Sequence, residues 1–182
     1  MDVSVNPIPD VNIMNRSITN FVPVSEEMVS LSEAGFLVDS YWYNQGLVDK
    51  NDCYVRKGLV SRLRTAQRYL PKGLSLKIFD AYRPCELQEK IWERVQARIF
   101  NSCGGKVSKD TLNRWTSVFE EEPIVDDMDL ASSYMTGGAV GLTIVDSNDD
   151  ELDMGTRFYE FDSKTWLVYF FFTRILVNSF VR

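Results

Sequence analysis

The stretch whose reading decides the fold runs from Tyr54 to Pro84, YVRKGLVSRLRTAQRYLPKGLSLKIFDAYRP. Val55, Leu59, Val60, Leu63, Ala66 and Leu70 recur at helical steps, while Arg56, Lys57, Arg62, Arg64 and Arg68 fill the other faces. That spacing predicts an amphipathic helix over 55–70. Pro71-Lys72-Gly73 stops it, because proline cannot continue the hydrogen-bond ladder and glycine tolerates the turn. Leu74, Leu76 and Ile78 then alternate with Ser75, Lys77 and Phe79, the pattern of a strand leading into Asp80-Ala81-Tyr82-Arg83-Pro84. Pro84 suits the first turn of a second helix, whose stripe is Leu87, Ile91, Trp92, Val95 and Ile99 and whose end is Gly104-Gly105.

Outward from this core, Ser108 is a natural N-cap for a third helix carrying Leu112, Trp115 and Phe119 on one side. An acidic run follows, with Glu120, Glu121, Glu122, Asp126, Asp127 and Asp129, and its spacing fits a solvated loop better than a calcium loop. Thr143 to Asp146 and Leu152 to Met154 read as a hairpin around Ser147-Asn148-Asp149-Asp150. Pro7, Pro9 and Pro23 leave residues 1–40 irregular or short-stranded. Helices followed by a hairpin, with no repeat or linker, predict one α+β domain over 1–182, a small antiparallel sheet packed against helices.

The chain has 182 residues, a net charge of −6 and no histidine. Without imidazole there is no Ser-His-Asp triad, no Cys-His pair and no HExxH zinc site. The acidic balance argues against nucleic acid or an anionic membrane as partner. Cys53, Cys85 and Cys103 are too widely spaced for a CxxC motif and read as thiols. Met1 to Asn15 lacks the basic and apolar pattern of a signal peptide, so a cytoplasmic location is expected. Trp166 to Val181 is rich in apolar residues, but the run is short for a membrane span and contains Arg174.

These segments also carry a family pattern. Tyr54-Val55-Arg56, Leu70-Pro71-Lys72-Gly73-Leu74, Asp80-Ala81-Tyr82-Arg83-Pro84, Thr136-Gly137-Gly138-Ala139-Val140, Leu142-Thr143-Ile144-Val145-Asp146 and Glu151-Leu152-Asp153-Met154-Gly155-Thr156 occur in the order found in the D-alanyl-D-alanine dipeptidases of the VanX type. The chain resembles these zinc D,D-peptidases from roughly residue 6 to residue 156. The resemblance implies their α+β fold, here without its C-terminal strand, with 157–182 a divergent and truncated C-terminal segment.

The departures from the family pattern fall on its chemistry. Two zinc ligands of the family, a His and an Asp, correspond to Tyr134 and Gly141. A Glu-Trp-Trp-His string bearing the catalytic Glu and the third ligand is absent, whether sought beyond Thr173 to Val181 or aligned on Trp166-Leu167-Val168-Tyr169. A phenol ionises near pH 10 and glycine has no side-chain donor, so no zinc and no other cofactor is expected.

The resemblance gives Arg83 the role of stabilising a tetrahedral intermediate; a salt bridge from Arg83 to Asp80 or a loop acid is the competing reading. Tyr134 is a candidate proton donor or a filler of the vacated metal site. Tyr82, Gly138 and Asp153 are candidates for contacting a small amino-acid or dipeptide ligand, with Glu151 a further carboxylate for an ammonium group. Three functions stand open: a catalytically degenerate or repurposed dipeptidase relative, a metal-independent cyclase, lyase or isomerase using Arg83 and Tyr134, and a protein that docks a partner or a second copy through its aromatic C-terminal segment.

Overall fold

The structure, a computed structural model, describes residues 26–123 and 132–160. In chain order the elements are β1 (Met28–Ser30), β2 (Leu37–Val38), α1 (Tyr41–Asn44), β3 (Tyr54–Arg56), α2 (Lys57–Tyr69), β4 (Ser75–Asp80), α3 (Cys85–Ser102), α4 (Lys109–Phe119) and β5 (Gly141–Val145). This is an α+β arrangement of small sheets and four helices.

One sheet has the order β2-β4-β5, with β4 antiparallel to β5 and parallel to the short β2; the other is the antiparallel pair β1-β3. The alternation read from Leu74 onward appears as β4, where Leu76 and Ile78 are buried and Ser75 is exposed. Leu31, Val55, Leu63, Leu76 and Ile78 meet in the main core between the sheets and α2. Full burial of one such side chain contributes about 1.5–3 kcal/mol, which is why α2 and β4 hold their register. The helix after Pro84 uses that proline as its N-cap residue and buries Leu87, Ile91, Trp92 and Val95. Ser108 caps α4 as expected, its hydroxyl accepting from the Thr111 N–H.

Two expectations change. The helix predicted from Val55 starts at Lys57, because Tyr54–Arg56 pairs with Met28–Ser30 and Val55 is fully buried in that ladder. The second arm of the predicted hairpin reduces to one bridge between Val145 and Glu151. Its cause is local: the Asp146 side chain accepts from the N–H groups of Asn148 and Asp150, and beyond the turn Leu152 and Met154 are exposed, with no apolar face to extend a strand. The 1–25 part of the irregular segment and the aromatic run Trp166 to Val181 lie outside the described residues, as does the question of a missing C-terminal strand. Among the described residues no helix is long and apolar enough to cross a membrane.

Asp52 ties the β1 end to the chain before β3. Its carboxylate accepts from the Ser30 hydroxyl at 2.6 Å, the Cys53 N–H at 2.8 Å and the Ser32 N–H at 3.2 Å. Partial burial works against the charge, but these donors outweigh it and hold the carboxyl below its ordinary value of 3.8. A depressed carboxyl adds stability that is present above that ordinary value and lost as pH falls through the lowered one. Urea denaturation between neutral and strongly acidic pH should therefore show a falling midpoint in acid. Asp52→Asn should be less stable at neutral pH and show a flatter acid limb.

Candidate functional site

Asp80 closes β4 and Arg83 follows it in the turn before α3. Two backbone hydrogen bonds pin this turn: the Tyr82 N–H donates to the Tyr54 carbonyl at 2.9 Å and the Arg83 N–H to the Tyr134 carbonyl at 3.3 Å. The Arg83 side chain is thereby turned inward and is 2 % exposed.

A buried guanidinium needs partners for its fixed fork of donors. Nε and Nη2 of Arg83 donate to Asp80 Oδ2 at 3.0 and 2.6 Å. Its Nη1 donates to Gln88 Oε1 at 3.0 Å and to Glu120 Oε1 at 2.5 Å. Gln88, fully buried on α3, donates from Nε2 to Glu120 Oε1 at 3.0 Å and to the Glu121 carbonyl at 2.6 Å. The other Glu120 oxygen accepts from the Tyr159 hydroxyl at 2.7 Å. One cation thus holds two carboxylates brought from the β4 end and from the residue after α4.

Aromatic rings enclose this cluster. The guanidinium carbon lies 4.1 Å from the Tyr134 ring centre and 5.2 Å from that of Trp42, both within cation–π range. Tyr159 packs edge-on against Trp42, and Phe158 packs on Phe79 and Tyr41. The Trp42 indole N–H lies close enough to favour the charged form of Asp80, yet makes no hydrogen bond of ordinary geometry.

The electrostatics follow from burial and charge count. Burial opposes the charge on Arg83, but Asp80 and Glu120 together more than offset it and raise its pKa, so it stays a cation. Burial raises the Asp80 carboxyl against the pull of Arg83, since one guanidinium serves two carboxylates. The Tyr134 phenol is pushed up to about 12 by burial and by Asp80. Burial and the adjacent Glu120 also raise the Tyr159 phenol. Neither hydroxyl is disposed to lose its proton near neutral pH.

The other residues singled out from sequence are placed as follows. Tyr82 is partly exposed beside the cluster. Gly138 lies at the surface, its N–H donating to the Thr136 hydroxyl at 3.2 Å. Its neighbour Gly137 has φ +68°, and a Cβ there would stand 2.7 Å from the Met28 methyl, so that turn requires glycine. Asp153 is exposed and bonds locally, accepting from the Gly155 N–H at 2.8 Å. Glu151 is paired with Lys77 at 2.9 Å, a cation that also holds Asp39 at 3.2 Å. Gly141 pairs with Asp80 across the sheet, and a Cβ on it would fall 2.7 Å from the Phe158 ring and 3.3 Å from the Asp80 Cβ.

Arg83 and Tyr134 are brought together and Gly141 lies beside their cluster, whereas Asp153 makes its bond elsewhere. Gln88, Glu120, Trp42 and Tyr159 were not singled out as site residues. Gln88 carried a signal, a polar residue between Leu87 and Ile91 on the apolar stripe of α3; Glu120 was hidden as the first acid of a run read as solvated. Among the described residues no group of three or more Cys, Asp or Glu is placed to hold a metal ion. Neither a protein-family model nor a curated protein matches the chain.

Removing one member of a buried ion pair leaves its partner uncompensated, at a cost of about 3–5 kcal/mol. Arg83→Met should lower unfolding free energy by about that amount, read from urea denaturation. At alkaline pH the raised phenols keep their protons in the folded chain while those of the unfolded chain ionise from about 10 upward. Stability should fall between pH 10 and 12, and Tyr134→Phe should reduce the slope in denaturation series over that range.

Proposed function

We propose that the chain is a catalytically degenerate relative of the D-alanyl-D-alanine dipeptidases, one that keeps the scaffold and has no zinc-dependent hydrolysis. The observation that carries this reading is the state of Arg83. An arginine that stabilises a tetrahedral oxyanion must present donors where the oxyanion develops. Here Nε, Nη1 and Nη2 already donate to Asp80, Gln88 and Glu120, and the guanidinium lies against Tyr134 and Trp42.

The residues at the two family ligand positions do not fit a zinc ion. Zinc sites use thiolate, imidazole or carboxylate donors, with N and O ligands at about 2.0–2.2 Å. Tyr134 offers a phenol held in its protonated form, and Gly141 offers no donor, with Phe158 in the space a side chain would take. The same features disfavour the metal-independent alternative, since Arg83 is committed and Tyr134 is a weaker acid than free tyrosine. A small amino-acid or dipeptide ligand would meet, in this reading, an Arg83 whose three side-chain nitrogens already donate within the chain; Tyr82, Gly138 and Asp153 are exposed. A reducing cytoplasm suits the three free thiols, Cys53, Cys85 and Cys103.

The purified chain, incubated with added zinc and D-Ala-D-Ala, should release D-alanine no faster than buffer. Turnover together with stoichiometric bound zinc by elemental analysis would overturn the proposal.

A further inference from the structure

An open groove of about 980 Å³ lies between β1 and α2. One wall is β1 itself. Val29 faces Val55 across the ladder, the Leu31 N–H donates to the Cys53 carbonyl, and the Lys57 N–H donates to the Glu27 carbonyl. In an antiparallel ladder the alternate residues turn their backbone groups the other way. Met28 and Ser30 therefore direct theirs to the outer edge of β1; Ser30 is buried and its carbonyl accepts from the Ala34 N–H, so the accessible part of that edge is Met28. Among the described residues no strand pairs with that edge.

The other wall is a cationic stripe in an acidic protein. Lys57, Ser61, Arg64, Thr65 and Arg68 share one face of α2 and line the groove, and α2 contains no acidic residue. Lys57 is paired with Glu27 at 3.1 Å. Arg64 and Arg68 are exposed and have no carboxylate partner among the described residues: Arg64 donates to the Ala34 carbonyl at 3.3 Å and Arg68 to the Thr65 hydroxyl at 3.1 Å. Glu33 is the remaining acid on the lining, so the groove is net positive while the chain carries −6.

We infer that this groove binds an extended acidic peptide segment of a partner protein, hydrogen-bonded to the β1 edge at Met28 with its carboxylates on Arg64 and Arg68. An edge strand gives affinity through main-chain hydrogen bonds, and alternate side chains give specificity. Arginine forks match carboxylates in pairs, so charge selects the partner. The site is separate from the Arg83 cluster and does not depend on the reading given under Proposed function.

The test uses fluorescence anisotropy with the full chain and labelled octapeptides alternating Glu with Val or Lys with Val. The acidic peptide should bind about tenfold or more tightly than the basic one at low ionic strength, with the difference shrinking as salt is added. Arg64→Ala combined with Arg68→Ala should weaken it about tenfold with the circular dichroism spectrum unchanged. Methylating alternate backbone nitrogens of the peptide should abolish binding. Equal binding of both peptides, equal binding of the methylated peptide, or tighter binding of a single-stranded oligonucleotide of the same charge would each overturn the inference. So would an absence of binding.

Discussion

A single buried cation holds together three parts of this chain that share no regular hydrogen bonding. Arg83 accepts its position from the turn after β4, and its donors fix Asp80 at the sheet end, Gln88 on α3 and Glu120 beyond α4. Each carboxylate would be costly alone in that interior, and so would the cation. The arrangement is therefore cooperative: Asp80, Arg83 and Glu120 are tolerable only in each other's company. The rings of Tyr134, Trp42 and Tyr159 exclude water from it, which strengthens every attraction inside and raises the cost of any missing partner.

A guanidinium whose Nε, Nη1 and Nη2 all donate within the chain gives specificity of packing. The chemistry of the cluster is accordingly that of a keystone. Protons are held firmly on Tyr134 and Tyr159, and both oxygens of Glu120 are engaged. Both phenols are moved further from neutrality, which leaves them poor acids and bases there.

The long elements were legible in the sequence because their information is local. The apolar stripe of α2, the Pro71-Lys72-Gly73 stop, the alternation of β4 and the Ser108 cap each lie within a few residues of what they determine. The short strands were not legible in the same way. Met28–Ser30 is a strand because it meets Tyr54–Arg56, and Leu37–Val38 because it meets Lys77 and Ile78; two or three residues carry no period of their own. The site divides along the same line. Asp80 and Arg83 sit three residues apart and were read together as one of two alternatives. Glu120 and Tyr159 reach the same point from positions 37 and 76 residues beyond Arg83, a distance over which sequence alone gives no geometry.

Gly141 shows how packing can close a position to every side chain. There is no room for a side chain: the Phe158 ring stands 2.7 Å from where a Cβ would be, and Asp80 lies directly across the strand pair. Introducing aspartate at this position would need the ring evicted first, and would then set a third carboxylate beside two that already share one cation. The position is thus closed twice over, by shape and by charge: any side chain placed there must displace an aromatic ring, and an acidic one would unbalance the ion cluster at once.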